Sequence, residues 1–240
     1  MGDTASRIRA LSPNAELMIV VVVAFGWSIL SSIEFLVSAW SGQISPWPPV
    51  TQAELIKLIA FQAVVLVVLG WFLRARGWTL AELGLDPSWR QGARSIALGV
   101  ALRAAQGLVL AVALALVDWI HSTVIWALLG QRISTDAWRW APDVAVAAIL
   151  GFLVLNSIFE ELFVCGYLIS RLGDERGLWF ALGVSTVIRL SYHLYQGLAP
   201  IPLHVATGLI FGYWFARTRQ LWPLIFAHTY LNLLSEIGRT

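Results

Sequence analysis

The chain has 240 residues, a hydrophobic fraction of 58% and a charged fraction of only 12%, about half the charged share of a soluble domain. Its mean hydropathy of +0.75 excludes an ordinary water-soluble protein. The net charge of +2, with no basic run between aromatics, gives no indication of nucleic-acid binding. The only cysteine, Cys165, excludes an internal disulfide.

Seven apolar segments follow one another along the chain, and we predict that each is a helix. A membrane-spanning helix needs roughly 17–25 mostly apolar residues. The predicted segments are Leu17–Trp40, Leu55–Leu73, Ser95–Ile120, Val144–Leu172, Leu178–Tyr195, Ile201–Phe215 and Leu221–Ile237. The last two are short, which favours surroundings of protein rather than lipid. No internal repeat is visible, so the sequence predicts one all-α domain over residues 1–240, a polytopic membrane bundle of about seven transmembrane helices.

The distribution of Lys and Arg between the segments predicts the orientation, because positive charges concentrate on the cytoplasmic side. With the N-terminus inside, the inner connections hold Arg7, Arg9, Arg74, Arg76, Arg90, Arg94, Arg171, Arg176, Arg217 and Arg219. The outer connections hold Lys57, Arg132, Arg139 and Arg239. We therefore expect a cytoplasmic N-terminus and an outer C-terminus. The partly apolar stretch Trp119–Ala141 leaves room for a re-entrant piece.

Two adjacent carboxylates, Glu160 and Glu161, lie inside the apolar fourth segment. Charged groups at membrane depth cost several kcal/mol and persist mainly at functional sites. Neighbouring residues on a helix point about 100° apart, so the two side chains cannot both face one small site. We expect one of them to act and the other to brace it.

Histidines and amides in the later segments complete a candidate site. Arg189 and His193 are four residues apart, as are His228 and Asn232, and residues at this spacing share a helix face. Together with the glutamates they offer a general base, a positioned water and donors for a carbonyl oxygen. A purely structural hydrogen-bond network is the alternative.

Structural roles are expected for the remaining polar residues of the segments. His204 is interpreted as an interhelical hydrogen-bonding residue, and His121 as an interfacial one. Glu34 and Arg103 are expected to form a structural pair or to face water.

The polar residues of the fourth and fifth segments resemble motifs of the CPBP family, the CAAX prenyl endopeptidases and their Abi-type bacteriocin-processing relatives. The first family motif is Glu-Glu, three residues, then Arg, usually followed by Gly and an aromatic. Glu160-Glu161-Leu-Phe-Val-Cys165-Gly-Tyr matches it except at Cys165. The second motif ends in a histidine, often with Phe four residues earlier. His193 matches, its tail Leu-Tyr-Gln-Gly is typical of bacterial members, and Arg189 replaces the Phe.

The third family motif places a histidine four residues before Asn, after an entry such as Leu-Trp-Pro. His228 and Asn232 match it, preceded by Leu221-Trp222-Pro223 and by Gly208-Leu-Ile-Phe-Gly212. The resemblance covers residues 144–237 and implies a catalytic core there, with variable N-terminal spans in residues 1–143. It also implies an integral membrane protein, in the bacterial inner membrane.

The resemblance implies a role for each matched residue. Glu160 resembles the catalytic glutamate that activates water with His193, and Glu161 a supporting residue. His228 and Asn232 resemble the pair that stabilises the oxyanion. The implied mechanism is metal-free, and the implied substrate is a prenylated or membrane-associated peptide reaching the site within the lipid.

Cys165 departs from the family motif, because a thiol cannot hold a carboxylate as an arginine does. Three explanations remain open. Arg189 supplies the missing cation from the neighbouring helix, or the site is weakened and the protein binds without cleaving, or Cys165 is itself a nucleophile activated by a histidine.

The sequence thus predicts an intramembrane peptidase, with three alternatives. These are a non-catalytic immunity or binding protein, a zinc peptidase with Glu and His ligands, and a small transporter. One difficulty remains within the predicted bounds. They place Glu160 about 15 Å from the inner end of its helix and His193 more than 20 Å from the inner end of its own.

Overall fold

The computed structural model describes residues 10–41, 49–86, 93–129, 139–197 and 200–237. These residues form seven helices and no β-sheet, which confirms the predicted all-α class. The helices are α1 Pro13–Trp40, α2 Gln52–Ala75, α3 Ala93–Leu129, α4 Val146–Arg176, α5 Leu178–His193, α6 Ile201–Thr218 and α7 Trp222–Ile237. A short 3₁₀ turn, Leu194–Gln196, follows α5.

Four of the described helices, α1 to α4, are long and apolar enough to cross a membrane. Their outward faces carry large apolar side chains, such as Trp27 and Val67, which are 73% and 72% exposed. Such faces suit a lipid solvent, so the chain is an integral membrane protein. Helices α5, α6 and α7 have 16 to 18 residues, or about 24 to 27 Å. By length and composition, four of the seven described helices are candidate membrane spans.

Helix α4 changes its winding directly after the two glutamates. Residues Val146–Glu161 are α-helical, Leu162–Tyr167 form a π-helix, and Leu168–Arg176 are α-helical again. A π-helical turn widens the ring of each hydrogen bond and is often found at functional sites. The hydroxyl of Ser185 on α5 donates to the Val164 carbonyl in this segment, at 2.8 Å.

The observed end of α4 explains how Glu160 and His193 come to the same depth, which the predicted helix bounds did not. The helix continues four residues beyond the predicted end at Leu172, and an ion pair of 2.9 Å between Arg171 and Glu175 spans this last turn. Glu160 is therefore about 24 Å from the end of α4, and His193 is about 22 Å from the start of α5. Since Gly177 joins the two helices in a tight turn (φ 87°), both residues lie at the same level.

Helices α5 and α6 form a hairpin held by close contact. An added Cβ on Gly208 would lie 2.7 Å from the Thr186 hydroxyl oxygen, and one on Gly212 would lie 2.5 Å from a methyl carbon of Leu182. Small residues at such a spacing let membrane helices approach closely. The contact sets the position of α5, and with it that of Arg189 and His193.

Two groups of contacts join helix ends at opposite sides of the bundle. At one side, Glu16 accepts from the Arg76 Nε at 2.5 Å, from the Trp78 indole and from the Tyr167 hydroxyl. At the other side, the Val50 amide donates to the Arg139 carbonyl at 2.7 Å. Helix α3 continues to Leu129, so the first part of Trp119–Ala141 is helical and contains no re-entrant piece up to that residue. Residues 130–138 lie outside the described ranges.

Candidate active site

A cavity of about 720 Å³ lies among α1, α2, α4, α5 and α7. Four of the predicted site residues line it: Glu160, His193, His228 and Asn232. Glu161 does not line this cavity, and its side chain is completely buried. The two adjacent glutamates therefore differ as expected, one facing the cavity and the other lying behind its wall.

Glu160 is held by donors from its own helix, α4, and from the neighbouring helix α5. Its Oε1 accepts from the Asn156 side-chain amide at 2.9 Å, and its Oε2 accepts from the Tyr192 hydroxyl at 2.6 Å. A guanidinium nitrogen of Arg189 lies 3.6 Å from Oε2. These donors satisfy a charged carboxylate and fix its orientation in the cavity wall.

Glu161 binds the predicted cation from the neighbouring helix. The Nη2 of Arg189 lies 2.8 Å from both carboxylate oxygens of Glu161. Nδ1 of His228 lies 2.7 Å from Oε1 of the same carboxylate. Arg189 is buried beside the Phe211 ring, with its guanidinium carbon 5.8 Å from the ring centre. Since a buried ion is costly without a partner, Glu161 and Arg189 depend on each other.

The hydrogen bonds of the two histidines show which ring nitrogen is already bonded. Nδ1 of His193 lies 2.9 Å from the Arg189 carbonyl oxygen, which can only accept, so Nδ1 carries the hydrogen. In the neutral ring Nε2 of His193 is then a proton acceptor. Nδ1 of His228 likewise donates to the Glu161 carboxylate. Nε2 of His228 therefore donates only when the ring is an imidazolium.

His204 lies directly against the His193 ring. The ring centres are 4.1 Å apart, and Nε2 of His204 bonds the side-chain oxygen of Gln196 at 2.7 Å. The expected structural role of His204 therefore includes positioning His193 by ring contact.

Asn232 lies one turn beyond His228 on α7 and also lines the cavity. Its side-chain amide donates to the Ser157 hydroxyl over a long distance of 3.4 Å. The arrangement leaves this amide available to a second acceptor, such as a carbonyl oxygen in the cavity.

Cys165 is completely buried in the π-helical segment and lies within electrostatic range of Glu161 and Arg189. It does not line the cavity. The hypothesis that Cys165 is a nucleophile gains no support from this position, since a substrate in the cavity does not reach it. The cation beside Glu161 is Arg189 of α5.

Three further residues contact the site and were not predicted from the sequence. Tyr192 and Asn156 donate to Glu160, and Gln62 on α2 donates to the Asn156 oxygen at 2.7 Å. Asn156 stands four residues before Glu160, a spacing that places both on one helix face. Tyr192 directly precedes His193. The sequence around Gln62 contains no motif that would identify it as a residue of the site.

Of the remaining polar residues of the segments, Arg103 and His121 do not line the cavity, whereas Glu34 does. Arg103 bonds Gln106 at 3.0 Å and also Gln220, so the suggested pairing with Glu34 is wrong. Glu34 lines the cavity and is exposed. His121 is half-buried on α3. Within the described ranges, no group of three or more His, Cys, Asp and Glu side chains is arranged to hold a metal ion.

Comparison with known proteins gives one family. Residues 142–234 match the family model of the type II CAAX prenyl endopeptidases, described as Rce1-like. Over these residues the chain is similar to the CAAX prenyl protease family. The match confirms the resemblance expected from the three motifs and places the chain, at the level of the family, among the membrane proteases. The comparison with curated proteins gives no match, and neither does the comparison with solved structures.

Proposed function

We propose that the protein is an intramembrane endopeptidase that hydrolyses a peptide bond in a prenylated or membrane-associated peptide. The observation that carries this proposal is the pairing of Glu160 and His193 at the wall of one cavity. Each offers a proton-accepting atom there, the carboxylate of Glu160 and Nε2 of His193. Such a pair suits the activation of a water molecule by general base catalysis.

In the proposed reaction, a water molecule held between Glu160 and His193 attacks the peptide carbonyl carbon. Its proton passes to one of these two groups and then to the leaving amine. The negative charge that develops on the carbonyl oxygen is stabilised by the side-chain amide of Asn232 and by Nε2 of His228. Because Nδ1 of His228 is used by Glu161, Nε2 donates in this proposal from the imidazolium form of the ring.

Arg189 takes the place of the missing motif arginine in this proposal. Its bonds to both oxygens of Glu161 keep this carboxylate ionised and fixed, so that Glu161 in turn orients His228. A cation supplied from α5 therefore maintains a working site despite Cys165. Glu161 and Arg189 act as positioning residues, and neither contacts the reacting atoms.

A fluorogenic prenylated peptide, incubated with the purified protein in lipid vesicles, tests the proposal. We expect hydrolysis by the wild type and a loss of roughly a hundredfold or more in Glu160→Gln, because general base catalysis is worth about 10²–10⁴-fold. Glu175→Gln, an exposed change on the same helix, serves as the control and keeps full activity. Hydrolysis that survives in Glu160→Gln would contradict the assignment.

The same assay separates the alternatives. One alternative follows from the replacement of the motif arginine by Cys165. In this alternative the protein is a weakened family member that binds a peptide or a partner helix as an immunity protein. A silent wild type with activity in Cys165→Arg would establish that alternative. Activity lost to EDTA and restored by zinc would establish the zinc-dependent membrane peptidase. The proposed reaction needs no cofactor, and the proposed partners are membrane lipid and the peptide substrate, with no nucleic acid.

We also propose that the protein lies in a bacterial inner membrane with its N-terminus in the cytoplasm. The helix ends joined through Glu16 and Arg76 bring together Arg76, Arg171 and Arg219, three of the arginines counted on the inner side. This grouping agrees with the distribution of Lys and Arg in the sequence.

A further inference from the structure

Helix α2 carries one buried amide side chain in the wall of the candidate active site. Residues 58–73 are apolar except for Gln62 and the indole nitrogen of Trp71. Gln62 is 9% exposed and lines the cavity. Polar side chains inside membrane helices are costly and mark functional or hydrogen-bonded positions. Helix α2 lies outside residues 142–234, so the family match does not account for this residue.

Apolar packing fixes α2 against α4 at the level of Gln62. Leu55 is completely buried and forms one buried cluster with Phe152 and Leu153 of α4. Gln62 follows Leu55 by about two turns and lies on the same face of α2. The cluster therefore brings Gln62 to Asn156, which lies one turn beyond Phe152.

Two hydrogen bonds connect Gln62 to the proposed base. Nε2 of Gln62 donates to Oδ1 of Asn156 at 2.7 Å, and Nδ2 of Asn156 donates to Oε1 of Glu160 at 2.9 Å. An ionised carboxylate can only accept, so Nδ2 of Asn156 faces Glu160 and Oδ1 faces Gln62. The donor from Gln62 opposes the reversed orientation, in which the Asn156 oxygen would face the carboxylate.

The opposite end of the Gln62 amide argues against a purely stabilising role. Its Oε1 is buried and has no hydrogen-bond partner among the described residues. A buried acceptor without a partner is costly, and an apolar side chain of similar shape would avoid that cost. Asn156 is half-buried and lines the cavity, so water there can bond its oxygen in place of Gln62. The orientation of Asn156 therefore explains the amide at position 62 better than the stability of the bundle does.

We propose that Gln62 is a positioning residue for Glu160, which makes α2 part of the catalytic unit. This inference rests on the proposed function, since Glu160 is the proposed base. Gln62 keeps the Asn156 amide turned toward Glu160, so that Asn156 holds one carboxylate oxygen while Tyr192 holds the other. An amide whose oxygen accepts a hydrogen bond is also a stronger donor. Without Gln62, the Asn156 side chain is free to turn into the cavity, and Glu160 loses its fixed orientation.

Gln62→Met tests the proposal in the fluorogenic peptide assay, because methionine keeps the length of the side chain and removes the amide. A neutral hydrogen bond is worth roughly threefold to tenfold in an equilibrium. We expect kcat to fall by this factor, with KM and the unfolding temperature unchanged. Val67→Met is the matched control, since it places methionine at an exposed position of the same helix, and it should keep full activity.

Two results of this comparison would overturn the proposal. A rise in KM with unchanged kcat would show that Gln62 contacts the substrate instead. A lower unfolding temperature with unchanged kcat would show that it only stabilises the bundle.

Combination with Asn156→Leu decides whether Gln62 acts through Asn156. Asn156→Leu removes a donor to a charged group and should lower kcat by roughly ten- to a hundredfold. Adding Gln62→Met should lower kcat no further, because its effect passes through the amide that is already missing. Losses that multiply in the double variant would contradict the proposal.

Side-chain amide NMR signals test the inference without hydrolysis. The asparagines of the sequence are Asn14, Asn156 and Asn232, so isotope-labelled asparagine gives few signals. Those of Asn156 are identified by their absence in Asn156→Leu. They should shift in Gln62→Met and in Glu160→Gln and stay in place in Val67→Met. If the wild type hydrolyses no peptide but these shifts occur, the proposed function fails and Gln62 remains the residue that orients Asn156 toward Glu160. Asn156 signals that do not move in Gln62→Met would remove the inference.

Discussion

The replacement of the motif arginine by Cys165 has to be considered together with Arg189, which binds Glu161. The motif has its arginine five residues after the first glutamate, and this chain has Cys165 there. The structure brings a guanidinium to Glu161 from α5 instead, at 2.8 Å from both oxygens. One buried cation between two carboxylates thus comes from a different helix, and the charge balance around Glu161 is kept.

Arg189→Leu should abolish hydrolysis and destabilise the protein by about 3–5 kcal/mol, because Glu161 then stays buried without its cation. Arg189→Leu combined with Cys165→Arg should recover part of both losses, because α4 then supplies the cation for Glu161. Activity and thermal unfolding in detergent measure the two effects. Arg217→Leu, an exposed change on α6, is the control. Equal damage in the single and double variants would refute compensation.

Tyr192→Phe tests the donor that the sequence did not reveal. The change removes the hydroxyl that donates to Glu160 at 2.6 Å but keeps the ring stacked on Phe25, with ring centres 4.8 Å apart. Hydrogen bonds to charged groups contribute about 1.5–3 kcal/mol, so kcat should fall by roughly ten- to a hundredfold. The same lost hydrogen bond should also lower the unfolding temperature, so kcat is measured at a temperature where both proteins are folded. Unchanged kcat would exclude a positioning role.

Residue spacing predicted the main contacts of the site but not all of them. The motifs identified Glu160, His193, His228 and Asn232, since pairs four apart share a helix face and the motif order brings three helices together. Gln62 was not found, because α2 matches only as an apolar span and its contact with Asn156 crosses 94 positions of the chain.

At the level of helices, α4 shows that hydrophobicity alone does not predict where a helix ends. The polar residues after Leu172 predicted an end that the helix does not have, because Arg171 and Glu175 pair along its surface. The π-helical segment was also not predicted, since its stability depends on neighbours such as Ser185 on α5. Apolar length located all seven helices, whereas tertiary contacts determined their ends and winding.

The α5–α6 hairpin should be sensitive to the smallest enlargement at its contact. Gly208→Ala places a methyl 2.7 Å from the Thr186 hydroxyl and 3.0 Å from its methyl, and a β-branched side chain has little freedom to move away. We expect destabilisation of about 1–3 kcal/mol with lower activity, since α5 carries Arg189 and His193.

Two companion variants decide whether the close contact is responsible. Gly183→Ala on α5 adds the same methyl where nothing lies within 4 Å, so its unfolding temperature should match that of the wild type. Thr186→Ala combined with Gly208→Ala should regain part of the loss. Unfolding in detergent compares the four proteins, and a fully stable Gly208→Ala would contradict the packing argument.

At the scale of the whole molecule, the two sides of the bundle are chemically different. One side has a cavity of about 680 Å³ with Arg76, Arg171 and Arg219 around the buried Glu16. The cavity of the candidate active site reaches toward the other side, where the Trp140 indole donates to Glu236. The arginines that the sequence assigns to the inner side therefore lie at helix ends that the structure brings together. One labelling experiment tests the orientation of the protein in the membrane.

Labelling with a membrane-impermeant maleimide tests the orientation in intact bacterial cells. The single native cysteine is fully buried, so introduced thiols report alone. Asp143→Cys, exposed before α4, should be labelled from outside. Asp174→Cys, exposed near the end of α4, should be labelled only after lysis. The wild type is the unlabelled control, and the reverse pattern would show an N-terminus outside.

The burial of Arg189 on a 16-residue helix has a consequence for biogenesis. A short segment that carries an arginine in its last third is a poor substrate for independent insertion into a bilayer, since such a charge costs up to about 2.5–3.5 kcal/mol inside a span. The cost is offset once Glu161 is already present in the membrane on α4. Synthesis from the N-terminus supplies α4 first. The α5–α6 hairpin is therefore expected to enter the bilayer late, using the preceding helix as its counter-charge.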